Sequence, residues 1–258
     1  MNTAIEQVGC GLDVVTDGET FVVGVDGCRE GWVAVSLDQD HNWQVEVFRT
    51  IDELWNAGRQ AHLILIDMPI GLPGDGVMSR RCDAEARKLL GKRHCTVFSA
   101  PCRESLQAAT HAEASNINRQ RLGKGMSCQC FHILKKVEQV DAFLRGNPEA
   151  APVMREVHPE VCFWAFNRRQ AITDGKKSAP GREERLRILN PVFPPTPHLF
   201  EAAVRWGKES RLDVAKDDIL DALAAAVTGF QPDRLESIPQ PKEQDAAGLP
   251  MEMVYRRL

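Results

Sequence analysis

Tyrosine occurs once in the 258 residues, and no run of about 18 consecutive apolar residues is present. The first absence argues against an aromatic surface on which RNA bases stack, the second against a membrane-spanning helix. An excess of basic charge is lacking as well. Lys and Arg number 32 against 36 Asp and Glu, for a formal net charge of −4. Such a balance excludes binding to nucleic acid through overall basicity, although it leaves room for a local basic groove. Paired CxxC motifs are missing. The eight cysteines lie at 10, 28, 82, 95, 102, 128, 130 and 162, and only Cys128 and Cys130 sit close together, beside His132. Free buried thiols are the expectation, with a zinc site from Cys128, Cys130, His132, His94, Cys95 and Cys102 as the alternative. The first residues have no basic segment followed by an apolar one, so no signal peptide is expected and the chain reads as cytosolic, where disulfides are rare. Gly71, Gly74 and Gly76 are not followed by Gly-Lys-Ser/Thr, so there is no P-loop.

What is present is an alternating α/β pattern. Residues 1–20 show no period and read as a tail. Phe21 to Asp26, Gly31 to Leu37 and Gln44 to Thr50 read as three strands joined by short turns, an antiparallel meander. An amphipathic helix follows over Thr50 to Ala61. Next comes Leu63-Ile64-Leu65-Ile66-Asp67, apolar at every position before the acid, which suits a parallel strand buried on both faces. Residues 79–145 read as mainly helical, and Val153 to Val157 as a further strand. Helices are expected over 182–189, 198–206 and 216–230. Prolines at 239, 241 and 250 then suggest an extended tail that closes with a strand over 251–255. The expectation is a single domain over 21–258 with a helical insertion at about 79–145, built on a mixed sheet flanked by helices.

The chemistry-bearing residues are acids. Asp26 and Asp67 each end a strand, and two adjacent parallel strands would release both at the carboxyl edge of the sheet, where α/β folds place ligands. Late in the chain, Lys216-Asp217-Asp218-Ile219-Leu220-Asp221 puts Asp218 and Asp221 three apart on one helix face. At about 5 Å and an effective dielectric near 20, each ionised pair in such a cluster costs about 3 kcal/mol. The cluster must therefore hold protons or bind a cation, and an all-oxygen donor set suits Mg2+ or Mn2+. Two such ions about 4 Å apart would activate water and stabilise the leaving oxygen in phosphodiester cleavage. The bland alternative is a set of turn and capping acids, with Asp217 as the helix N-cap.

Four motifs, GVDGCREGW, LILIDMPIGLP, EVHPE and KDDILDALAAAVTGF, together with the ending GLPMEMVY, resemble the predicted RNase H-like nucleases grouped as domain of unknown function 429. The resemblance runs from about Phe21 to the C-terminus. The late helix is also similar to the acid-bearing helix of Holliday-junction resolvases. What the resemblance implies is an RNase H-like fold with Asp26, Asp67, Asp218 and Asp221 as metal-binding, catalytic acids, and nuclease chemistry without a stated substrate. It also draws the EVHPE motif towards the site, with Glu160 or Glu156 as a further acid or His158 as a proton relay.

Basic residues cluster around two helices, Arg80 to Arg93 and Lys176 to Arg185, interspersed with acids that favour simple solvated faces. Arg29, Arg81, Lys177 and Arg182 are the candidates for gripping a substrate phosphate. Nucleic acid or a small phosphodiester is the expected partner, and a homodimer is left open. Two other readings compete: an ATP-dependent phosphotransferase on an actin- or sugar-kinase-like core, and a non-catalytic binding module on the same fold. The first expects a second phosphate loop and a duplicated core, neither of which is visible in the sequence.

Overall fold

The computed structural model describes residues 6–8, 21–74 and 76–258. A six-stranded sheet takes shape from β1 (Glu6–Val8), β2 (Phe21–Cys28), β3 (Gly31–Asp38), β4 (Trp43–Phe48), β5 (Leu63–Ile66) and β6 (Met154–Glu156), in the order β1-β4-β3-β2-β5-β6. The β2-β3-β4 meander is antiparallel, whereas β2-β5, β5-β6 and β1-β4 are parallel. This is the expected mixed α/β architecture, consistent with an RNase H-like fold. Of the tail expected over residues 1–20, only Glu6–Val8 is described, and it is the edge strand β1 rather than tail. The rest of that expectation, with Cys10, lies outside the described residues.

Nine helices flank the sheet among the described residues. α1 (Ile51–Gly58) fills the crossover from β4 to β5. The segment between β5 and β6 holds α2 (Arg81–Leu90), α3 (His111–Leu122), α4 (Cys128–His132) and α5 (Leu134–Gly146). After β6 come α6 (Pro159–Phe166), α7 (Ala179–Leu189), α8 (Thr196–Glu209) and α9 (Lys216–Gly229). The Pro-rich end is a hairpin of β7 (Leu235–Gln244) and β8 (Pro250–Arg256), not an extended tail. Pro239 and Pro241 both follow cis peptide bonds, and the register of the hairpin shifts between Ile238 and Glu243. None of the described helices is long and apolar enough to cross a membrane.

Strand periodicity divides the core into two layers. Phe21, Val23, Val25, Ile64 and Ile66 pack on one face with α1 and α5, and Val22, Leu63 and Leu65 pack on the other with α6 to α9. Alternation by two then places Asp26 on the Val22 face and Asp67 on the Leu63 and Leu65 face. Both acids therefore look towards α9.

The approach of α9 to β2 depends on small residues. From Ile219 to Gly229 the helix is buried at every position. A Cβ built on Gly24 would lie 2.1 Å from the Ala226 nitrogen and 2.2 Å from the Ala222 oxygen, so strand and helix backbones nearly touch. Neither backbone can swing aside as a side chain would. We expect Gly24→Ala to destabilise the protein by about 3 kcal/mol or more, at the upper end of overpacking. The change would also push Asp221 away from Asp26. Chemical denaturation checks the first effect, and metal titration of the surviving folded fraction checks the second.

Candidate metal centre

Asp26 and Asp67 are brought side by side by the β2-β5 pairing. Val25 is the partner of Ile66 in the parallel register, and the Asp67 amide donates to the Val25 carbonyl at 2.9 Å. Each acid therefore stands one residue beyond that matched pair. β2 itself continues to Cys28, so Asp26 lies near the strand end and not at it. α9 supplies the third acid from the face above. One carboxylate oxygen from each of Asp26, Asp67 and Asp221 falls within 4.8 Å of the other two, the only such group of three acid, His or Cys ligands among the described residues. Asp26 and Asp221 are buried, and Asp67 is partly so.

The electrostatics follow from that crowding. Burial, then the charges of Asp67 and Asp221, push the Asp26 carboxyl well above the ordinary carboxylate range. Burial and the Asp221 charge do the same to Asp67. Asp221 is also raised by burial, although Lys176 pulls it the other way. Asp218 stands at the cluster's edge, where burial and the neighbouring Asp217 raise it to about 6. Its carboxylate accepts the Ala215 amide at 3.3 Å, so the helix N-cap is Ala215 and not Asp217.

These acids form the floor of a cavity of about 430 Å3. Apolar side chains, among them Met68, Phe98, Ile133 and Met253, make much of its wall. Lys136, Lys176 and Arg93 bring positive charge to it. Lys136 reaches the cavity past Gly27, where a Cβ would lie 2.4 Å from its Cδ, and it donates to the Gly31 carbonyl at 2.5 Å.

His158 and Glu160 both line the cavity, at the junction of β6 and α6. The Nε2 of His158 lies 3.3 Å from the Thr96 carbonyl, which can only accept. The neutral ring therefore carries its proton on Nε2 and its lone pair on Nδ1, which has no hydrogen-bond partner. Burial lowers the pKa of this imidazole and keeps it neutral. Glu160 is differently placed. Its Oε1 accepts from Arg185 at 2.6 Å and from Arg93 at 3.3 Å. It is committed to two guanidinium groups and stands outside the aspartate trio.

The four expected phosphate-gripping residues are not brought to the site. Arg29 is exposed and paired with Asp213. Arg81 is half-exposed and pairs with Glu85 and Glu243. Lys177 is exposed, and Arg182 donates to its carbonyl at 2.6 Å. None of the four lines the cavity. Each lies on a helix or turn surface whose own acids neutralise it or beside a loop carbonyl. The lysine that does enter is the neighbour, Lys176, which donates to Asp221 Oδ2. A Lys-Lys pair in a loop carries no period that says which residue turns inward. Arg80 is no surface cation either: it is 1% exposed and bound to Glu156 at 2.6 and 2.8 Å, to Asp83, and to the Ile70 carbonyl.

Cysteine and histidine do not assemble a second centre among the described residues. Cys128 Sγ lies 4.0 Å from His111 Nε2, which is engaged with the Met126 carbonyl, and no third ligand joins them. The seven described cysteines are free thiols. Comparison with curated proteins and with solved structures finds no match. A family match does cover residues 24–244, from the strand that carries Asp26 through α9 to the end of β7, and its description is Protein of unknown function (DUF429). Spanning most of the chain and all three clustered aspartates, that match makes the protein a member of the DUF429 family.

Proposed function

We propose that this protein is a divalent-cation-dependent phosphodiester hydrolase acting on a small or unpaired nucleotide-like substrate. The observation that carries the reading is the trio Asp26, Asp67 and Asp221, within 4.8 Å of one another on the floor of a cavity with cationic walls. The donor set is all carboxylate oxygen, which fits a hard cation such as Mg2+ or Mn2+ and not zinc. When bound, such an ion supplies Lewis-acid polarisation of a phosphoryl oxygen and lowers the pKa of water.

The protein's own groups supply the rest. Lys136 and Arg93 offset the charge of an entering phosphate. His158 lines the cavity, but its Nδ1 is closed off from solvent, so the attacking water gives up its proton to solvent water in the cavity. Water oxygen bonds to phosphorus, the phosphorus–oxygen ester bond breaks, and the departing oxygen takes a proton from solvent. The apolar wall suits the sugar, base or other organic part of the ester. At about 430 Å3 the cavity falls within the roughly 300–1,000 Å3 of small-ligand pockets. Together with the chain's near-neutral charge, this favours a compact substrate over a duplex backbone.

The test is hydrolysis in Mn2+ of bis(p-nitrophenyl) phosphate and dinucleotides against single-stranded and duplex DNA and RNA. Turnover of the small esters and of unpaired ends, with duplexes slower by at least tenfold, is the expected result. Rapid internal cleavage of duplexes would overturn the substrate assignment, and inertness towards every ester would overturn the reaction.

A further inference from the structure

We infer that Lys176 is a built-in cation of the carboxylate centre, holding the place of a second metal ion and making the site one that takes a single divalent cation. The inference rests on the metal-centre reading above. Lys176 belongs to the loop between α6 and α7, and its ammonium donates to Asp221. That ion pair sets the ammonium against a carboxylate that is itself buried, on the cavity lining shared with Asp26 and Asp67.

The loop is constructed to present it. Arg185, wholly buried, donates to the Asp174 carbonyl at 3.0 Å, to the Gly181 carbonyl at 2.9 Å and to Glu160 at 2.6 Å. Ser178, the N-cap of α7, donates from both its amide and its hydroxyl to the Gly175 carbonyl. The turn also packs so tightly against α7 that a Cβ on Gly181 would lie 2.2 Å from the Gly175 oxygen. Lys176 is thus tied on both sides by buried or capping bonds. Glu160 acquires a role in the same way, as a positioning residue that acts through Arg185.

Charge sets the stoichiometry. Asp26, Asp67, Asp218 and Asp221, when ionised, carry four negative charges, and Lys176 and Lys136 return two. A single divalent ion then neutralises the cluster. A second would leave an excess of positive charge beside two buried carboxylates. Lys176 also sits against Asp221, an oxygen that a second ion would need.

Calorimetric Mn2+ titration, with electron paramagnetic resonance of the loaded protein, tests this. Wild type should bind a single equivalent and give the spectrum of an isolated Mn2+. Lys176→Ala should bind its first Mn2+ at least about tenfold more tightly, because a like charge is gone. It should also take up a second equivalent that shows exchange coupling to the first. Lys176→Arg, which keeps the charge, should stay at a single equivalent. Two equivalents in wild type, or no change in Lys176→Ala, overturns the role of Lys176 and leaves the metal centre standing. No binding to wild type at millimolar Mn2+ overturns both.

Discussion

Asp26→Asn should lower metal-dependent hydrolysis by a factor on the order of 10^3 while making the metal-free protein more stable. The two effects share one cause. Asp26 is only 8% exposed and stands against Asp67 and Asp221, so in the absence of a cation its charge is unfavourable at neutral pH. Its amide replacement keeps the oxygen that accepts the Gly27 amide at 2.6 Å. It adds an N–H2 group able to donate to the remaining carboxylates. Relieving one ionised contact at about 5 Å is worth up to about 3 kcal/mol, or roughly 2–4 °C of melting temperature per kcal/mol for a chain of this size. Asp221→Asn separates the causes. It should lose activity to the same degree without the gain in stability, because it also removes the carboxylate that pairs with Lys176. Melting in a chelator at about pH 8, beside initial rates in Mn2+, checks both variants. If Asp26→Asn melts below wild type in the chelator, the aspartates do not repel one another and the centre is not the strained, cation-seeking cluster described above.

The legible part of this molecule is the part where local pattern and tertiary environment coincide. Strand β5 is sandwiched between two apolar layers, and its unbroken Leu-Ile-Leu-Ile run declares it. The meander shows because its turns carry Gly, Asp and Asn at the required places. The slim Ala-rich face of α9 beside Asp218 and Asp221 shows the acid-bearing helix. Asp26 and Asp67 could be placed together from their strand ends and a parallel pairing, and Asp221 from the acid-bearing late helix on which the family resemblance rests. What escaped is set by long-range geometry. β7 was hidden by Pro239 and Pro241, which normally exclude a strand but are accommodated in an edge hairpin. β1 is three residues long, too short for any period to register. The cations of the cavity escaped for the same reason. Lys136 enters over Gly27, more than a hundred residues earlier, whose missing Cβ leaves room for its stem. Lys176 enters only because Arg185 and Glu160 fix its loop. The acidic balance also acquires a different meaning, since several of the acids that seemed to speak against a phosphate substrate are the groups proposed to recruit the cation that binds it.

Without metal, the folded protein should become steadily less stable as pH rises from about 5.5 to 8, and Mn2+ should reverse the trend. The sign follows from proton counting. Unfolded carboxyls titrate near 4, whereas burial and mutual repulsion raise those of Asp26, Asp67 and Asp221, bring Asp218 to about 6, and, with Arg80 opposing, leave Glu156 at about 7. Between the unfolded and folded values the native state binds more protons, so stability present below pH 4 is lost as pH climbs through the folded values. His158 contributes with the opposite sign. Its folded pKa, lowered by burial like that of His62, makes stability fall as pH drops below about 6.5, two groups set against several carboxyls. Above about 6.5 these histidines add nothing, so the decline there belongs to the acids alone. A cation binds the ionised trio and releases those protons, hence its apparent affinity grows with pH. At a free Mn2+ concentration about a hundredfold above the dissociation constant the stabilisation reaches about 2.7 kcal/mol. Urea unfolding at several pH values, in chelator and in Mn2+, should give two curves that diverge towards high pH. In Asp26→Asn the curves should lie closer together and the chelator curve should be flatter, since one of the proton-binding carboxyls is gone. Parallel curves in wild type would mean that the metal does not compete with protons for Asp26, Asp67 and Asp221, and that its site lies elsewhere.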